Sequence, residues 1–235
     1  MPSPSLLVTL CTYNERENID RLIPEILAIA PQAHVLVIDD NSPDGTSDAA
    51  RAMSERDPRI HLLHRPNKEG LGAATAAGMQ WGIERGYDYL LNMDADFSHP
   101  PRYIPALLTA MDQADVAVAS RYVPGGNVVG WGLKRHFMSR TINFYARTIL
   151  GLKTRDNSGS FRCYRTSKLA EIRPETLRAR GYAIQEELLY RCRNVGCRFV
   201  EVPFQFEERR FGESKISLKE AVTAPLVLLR IRLGG

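Results

Sequence analysis

Five short, nearly continuous apolar runs punctuate this 235-residue chain: SLLVTL (5–10), HVLVID (34–39), RIHLLH (59–64), DYLLNM (88–93) and DVAVAS (115–120). A run apolar at successive positions puts apolar side chains on both faces of an extended segment. It reads as a strand covered on both sides. Helical patterns fill the gaps. ENIDRLIPEILAIA (17–30) sets Ile19, Leu22, Ile23, Ile26 and Leu27 on one stripe, and residues 46–56, 70–85 and YIPALLTAMDQ (103–113) follow. Such alternation restricts the chain to an α/β fold, a mostly parallel Rossmann-like sheet with helices on both faces. RFVEVPFQF (198–206) reads as a further strand, and Pro203 makes it an edge or irregular one. The length suits one domain, and the chain shows no repeat, low-complexity stretch or linker.

In open sheets of this kind ligands sit beyond the carboxyl ends of the strands. The polar residues of this chain fall there: CTYNE (11–15), DDNSPDGT (39–46), DADFSH (94–99) and SRY (120–122). Turn chemistry accounts for NSPDG. It does not account for Asp39-Asp40 or for Asp94 and Asp96, since unpaired acids at the rim of a buried sheet repel one another. In an extended segment Asp94 and Asp96 face the same way, and Ser98 could join them. Two carboxylates side by side call for positive charge between them. Mg²⁺ or Mn²⁺ fits, because such a cation uses one or two carboxylates and completes its shell with water and substrate phosphates. A lone D-x-D is a weak pattern, strengthened here by its place after a buried strand. His99 reads as a surface or satisfied histidine, and Pro100-Pro101 as the start of a helix. The glycines of EGLGAATAAG (69–78) miss the dinucleotide spacing, with Thr75 where a glycine belongs, so close helix packing explains them better.

A net charge of +4 does not indicate a nucleic-acid partner, and none is expected. The charge is concentrated, with six Lys/Arg against two acids from Arg209 onward. Four scattered cysteines and the lack of a secretory leader point to a reduced cytoplasmic setting. No apolar run approaches the ~18 residues that span a bilayer. Residues 1–210 are expected to form the catalytic domain and 211–235 a basic amphipathic helix. That last segment reads equally as a membrane-surface helix and as one packed on the core. GGNVVGWGLKRHFMSRTINFYARTILGL (125–152) mixes Trp131, Phe137, Phe144 and Tyr145 with Lys134, Arg135 and Arg140, as a surface at headgroup level would.

TYNERENI (12–19), IDDNSPDGT (38–46), GLG (70–72), MDADFSHPP (93–101), SRYVPGG (120–126), NSGSFRCYR (157–165), GYAIQEELLYR (181–191) and RRFGESKIS (209–217) occur in one order. In this the chain resembles the dolichol-phosphate mannose synthases, polyprenyl-phosphate sugar synthases among the inverting family 2 glycosyltransferases. The resemblance covers about residues 5–217. It implies a GT-A fold, a divalent metal, a nucleotide-sugar donor and a lipid-phosphate acceptor in the membrane. It also assigns roles. Tyr13, Glu15, the main chain of Cys11, Ile38 and Asp40 would contact the nucleotide base. Cys11 stands where the family usually has proline. Asp94 would lie by ribose and metal, and Asp96 and Ser98 nearest the metal. Some relatives have glutamine in place of Ser98. Arg121, Arg135, Arg209 and Lys215 match cationic positions around the two phosphates.

The chemistry can be argued from the residues as well. Transfer to a sugar hydroxyl needs a general base. A phosphate monoester, with a second pKa of about 6, is already largely dianionic. Such an acceptor needs positive charge, which guanidinium groups supply. Asp96, Arg121 and Arg135 are therefore the catalytic candidates. Arg135 in LKRHFMSR also reads as the solvated start of a helix or as a headgroup contact. Asp156 reads as a loop brace rather than a base. The leading expectation is transfer of mannose from GDP-mannose to a polyprenyl phosphate with inversion, at the cytoplasmic face of a membrane. A separate membrane subunit is compatible with the sequence. The alternatives are glucosyl or N-acetylglucosaminyl transfer from a UDP-sugar, or a nucleotide-sugar-binding scaffold without catalysis.

Overall fold

The computed structural model describes residues 4–179, 181–208 and 218–233, with the side chains of the last stretch described from Pro225 onward. Its central sheet has seven strands in the order β3-β2-β1-β4-β7-β5-β8. These are β1 (Leu6–Thr12), β2 (Ala33–Asp39), β3 (Ile60–His64), β4 (Tyr89–Asp94), β5 (Val116–Ser120), β7 (Arg162–Arg165) and β8 (Phe199–Pro203). All pair in parallel except β7, which runs antiparallel to both β4 and β5. Two-residue strands β6 (Asn127–Val128) and β9 (Gln205–Phe206) form a second, parallel pair. The five apolar runs read from the sequence are all strands, and 198–206 holds two, β8 and β9, in different sheets rather than one. Pro203 is the last residue of β8, at the sheet edge, where its missing N–H disrupts no ladder.

The helices are α1 (Arg16–Ile29), α2 (Thr46–Arg56), α3 (Leu71–Glu84), α4 (Ile104–Ala110), α5 (Leu133–Leu150), α6 (Thr166–Ile172), α7 (Ile184–Asn194) and α8 (Leu218–Arg232). Strand alternation divides the core into two layers. Val8, Leu10, Val35, Val37 and Leu91 pack with α1, α2 and α4. Leu7, Leu36, Ile38, Leu90, Val116 and Val118 pack with α3 and α5 to α8. Each such aliphatic side chain, fully removed from water, stabilises the fold by about 1.5–3 kcal/mol. The glycines of 69–78 have structural roles. A Cβ on Gly78 would stand 2.4 Å from Ile38 Cδ1, so only glycine lets α3 lie this close to the sheet. Gly70 has φ +90° and donates its N–H to Asp40 Oδ2 at 2.7 Å.

α8 packs against α5, with Leu228 buried and Leu226, Leu229 and, just after the helix, Leu233 exposed. Pro225 lies inside the helix without ending it. Among the described residues no helix is long and apolar enough to cross a membrane.

Candidate active site

Parallel β1, β2, β4 and β5 end on one edge of the sheet, and antiparallel β7 begins there. The loops after these strands therefore share one edge. They differ sharply in how their polar groups are occupied.

After β2, Asp39 is fully buried and accepts four hydrogen bonds, from Thr12 Oγ1, from the N–H and Oγ of Ser42, and from Ser47 Oγ. Asp40 is equally committed. Arg65 donates to its Oδ1 and Gly70 N–H to its Oδ2. The sequence reading left both acids unpaired. Loop and long-range partners pair them, and Asp40 faces Arg65 rather than an open base pocket. Ile38 was also expected to line that pocket. Strand alternation instead turns its side chain under α3, without exposure. Cys11 lies between Ile38 on β2 and Asp94 on β4. Its thiol is 3.7 Å from Thr75 Oγ1, and burial pushes its pKa up to about 12, so it stays protonated. Tyr13, half-buried, carries Lys68 Nζ 3.4 Å from its ring centre. Glu15 occupies the N-cap position of α1 without a side-chain capping bond, and its Oε2 accepts from the Asn18 side-chain amide at 2.6 Å.

After β4 the extended chain stops at Asp94, so alternation along a continuing strand is not what places Asp96. Phe97 takes φ +66°, an uncommon conformation for a bulky residue, and its ring is buried. This sharp turn lets Ser98 donate both N–H and Oγ to Asp96 Oδ1, at 3.0 and 2.6 Å. Ser98 thus supports Asp96, and its hydroxyl proton points to the carboxylate. Asp94 Oδ1 accepts from Ser160 Oγ at 2.6 Å, and its side chain is 39% exposed. His99 is buried against Phe161, Phe204 and Phe206. Its Nδ1 accepts the Asp94 N–H at 3.0 Å, which places the ring proton on Nε2. Desolvation lowers its pKa, so the ring 3.9 Å from Asp94 Oδ2 is neutral and gives the carboxylate no counter-charge. This is the satisfied histidine expected from the sequence.

After β5, Arg121 does not stand as a free guanidinium. Its Nε and a terminal nitrogen donate to the two oxygens of Asp156, each at 2.7 Å, and its N–H donates to Oδ2 at 3.0 Å. Burial would raise the pKa of Asp156. The charge and hydrogen bonds of Arg121, with the charge of Arg162, outweigh that and hold it below the usual carboxylate range. Asp156 is a brace, as the sequence reading held. The brace fixes the plane of Arg121. Trp131 then joins two candidates, its ring centre lying 5.4 Å from the Arg121 guanidinium carbon and 4.1 Å from that of Arg135, in the first turn of α5. Arg209 and Lys215 lie outside the described residues.

The edge thus gathers Asp94, Asp96, Ser98, Arg121 and Arg135, with Cys11 one strand away. Ile38 and Asp40 are turned into the fold. Ser160 and Trp131 were not singled out as site residues from the sequence. A single hydroxyl or indole carries no local signal, and only the pairing of β7 and the turn before α5 bring them in. Among the described residues no three His, Cys, Asp or Glu side chains form a metal cage. Two carboxylates, one half-exposed, instead make a partial, all-oxygen donor set. That suits Mg²⁺ or Mn²⁺ completed by water and phosphate rather than a closed zinc site.

Comparison with known proteins places this arrangement. Polyprenol monophosphomannose synthase of Mycolicibacterium smegmatis is 45% identical over 218 residues, covering 92% of this chain and 82% of that protein. Undecaprenyl-phosphate mannosyltransferase of Micrococcus luteus is 43% identical over 212 residues, covering 90% of this chain and 87% of that one. The crystal structure of glucosyl-3-phosphoglycerate synthase from Mycobacterium tuberculosis, in complex with Mn²⁺, UDP and phosphoglyceric acid, superposes over 99% of this chain and 79% of its own. The TM-score is 0.70 at 18% identity, a likeness of fold, and the fold is the GT-A type. Residues 7–173 match the model of glycosyl transferase family 2. A match over that span, with relatives above 40% identity along nearly the whole chain, means that the chain belongs to glycosyl transferase family 2.

Proposed function

We propose that this glycosyltransferase moves mannose from GDP-mannose to a polyprenyl phosphate, with inversion and with a divalent cation. The observation that carries the reading is the pair Asp94 and Asp96 at the end of β4, facing a neutral histidine, in a chain whose near relatives are named for mannosyl transfer to polyprenyl phosphates. Asp94 and Asp96 would hold Mg²⁺ or Mn²⁺, which when bound supplies positive charge for the departing diphosphate. Ser98 keeps Asp96 in place through its two hydrogen bonds. Tyr13, Glu15 and the main chain at Cys11 would receive the nucleotide base. Arg121, aligned by Asp156, and Arg135, against the same Trp131 ring, would receive the acceptor phosphate. Arg209 and Lys215 would serve the donor diphosphate. The acceptor is already anionic, so no side chain need remove a proton. One nucleophile displacing one leaving group inverts the anomeric carbon.

The acceptor's chain places the protein at a membrane. α5 has no acidic residue. One stripe of it exposes Leu133 (89%), Phe137 (73%) and Phe144 (64%), with Arg140 and Arg147 between them. Leu226 and Leu229 of the neighbouring α8, and Leu233 just after it, are exposed as well, beside Arg230 and Arg232. These features support peripheral attachment to an anionic, cytoplasmic leaflet, through a segment distinct in role from the catalytic part.

Incubation with labelled GDP-mannose, a short polyprenyl phosphate and Mg²⁺ or Mn²⁺ tests the proposal. It should yield a product that partitions into organic solvent. Label from UDP-glucose alone would reassign the donor, and tight nucleotide binding without any transfer would leave a scaffold. Activity that needs native membranes, and fails with protein-free vesicles, would indicate a separate membrane subunit.

A further inference from the structure

α7 leads into β8, which is parallel to β5, so the helix runs against the strands and its first turn lies at the site edge. That turn carries Gln185, Glu186 and Glu187, all buried. Glu187 is accounted for, accepting from the N–H groups of Arg178 and Ala179 and pairing with Arg191 at 2.6 Å. Its two neighbours are not. Both amide atoms of Gln185 and the Oε2 of Glu186 are sealed from solvent without a hydrogen-bond partner in the protein. Arg162, the first residue of β7 and fully buried, lies beside them. It donates to Gln185 O and Asn157 O, each at 2.7 Å, but its Nε has no partner. Among the described residues Arg162 makes no ion pair.

Each orphaned polar group destabilises the fold, because it has given up its bonds to water and received none in return. Four such atoms in one cluster are hard to account for by packing, because a leucine at position 185 would remove two of them. Groups of this kind call for a partner that the protein itself does not supply, water or a bound ligand. The cluster's place limits what the ligand is. Arg162 pairs with Asn92 of β4 and Val118 of β5, two residues before Asp94 and Ser120. Glu186 feels the charges of Arg162, Asp156 and Arg121. The cluster therefore lies behind the acceptor-side arginine, its Arg162 opposite the residue two before Asp94 on β4. Its chemistry, an amide with one donor and one acceptor end beside a carboxyl group, matches neighbouring hydroxyls rather than a phosphate or a flat base. Burial pushes the Glu186 carboxyl up to about 7, so at neutral pH it donates as well as accepts.

We propose that Gln185 and Glu186 read the ring hydroxyls of the transferred hexose and so determine which sugar nucleotide is used. The inference rests on the donor assigned above. It adds specificity-determining residues that act on the sugar rather than on the nucleotide, the metal or the acceptor.

Calorimetric titration of the full chain with GDP-mannose and with GDP, in Mn²⁺, separates the two readings. In the wild type GDP-mannose should bind more tightly than GDP. In Gln185→Leu the GDP affinity should stay within about twofold, while GDP-mannose binding weakens by about tenfold per lost hydroxyl contact. Preference for GDP-mannose over GDP-glucose should shrink. Glu186→Gln keeps shape, a donor and an acceptor, and should retain most of the affinity that Glu186→Leu loses. A melting temperature close to that of the wild type shows that each variant is folded. Equal loss of GDP and GDP-mannose binding, or an unchanged sugar preference in folded Gln185→Leu and Glu186→Leu, overturns the inference. Wild-type protein that binds neither compound overturns the donor assignment, and this inference with it.

Discussion

The loops after β2 and β4 each present two acids at the same edge of one sheet, yet they are built to opposite ends. Asp39 and Asp40 are closed: six hydrogen bonds and a buried arginine occupy their oxygens. Asp94 is open, half-exposed, with one hydroxyl donor and an uncharged imidazole near it. Asp96 lies next to Phe97, whose φ is +66°, and takes two hydrogen bonds from Ser98. Acids of the first kind hold a loop in place. An acid placed like Asp94 leaves charge for something that arrives.

The comparison breaks if variants of the closed loop lose activity without losing stability, or the reverse for the open one. Asp156→Ala should show the largest effect, because it leaves Arg121 buried and unpaired. A loss of about 3–5 kcal/mol is expected, together with loss of transfer. Asp40→Ala should fall near the lower end of that range, since Glu69 still pairs with Arg65. Its melting temperature should drop by several degrees, while any folded fraction keeps its affinity for GDP. Asp96→Ala should do the opposite, reducing transfer by about 10²–10³-fold with little change in melting. Chelation of divalent ions should match it, and added Mn²⁺ should rescue the wild type but not the variant. Ser160→Ala should cost about 1 kcal/mol, roughly fivefold in rate, read as a higher Mn²⁺ concentration needed for half-maximal transfer.

The smallest effect lies at the opposite edge of the sheet. His34 Nδ1 and His61 Nε2 are 3.0 Å apart, and desolvation lowers the pKa of both. Below the unfolded value near 6.5 the unfolded chain takes up protons that the folded pair refuses. Stability is therefore full above that pH and declines as pH falls through it. A His34→Gln, His61→Gln variant should show a flatter fall in melting temperature between pH 7.5 and 5. Transfer at neutral pH should be unchanged.

Much of this was legible in the chain because it is local. Strands, most helices and the polar strand ends follow from spacing, as does the role of Gly78. The strand β7 was not legible. It is four residues long, and a buried arginine opens it. The bond between Arg121 and Asp156 joins residues 35 apart, so neither declares its partner. The family resemblance assigns Ile38 to the base pocket, but strand alternation turns its side chain toward α3.

The sequence by itself determined the alternating strands and helices, the two-sided sheet and the edge where chemistry would gather, because periodicity and turn preference act over a few residues. Only the tertiary structure decided which acids are satisfied and which remain open, which arginine is clamped, and which buried groups lack a partner. Hydrogen bonds and desolvation depend on what distant segments bring within about 3 Å, and no local pattern encodes that distance.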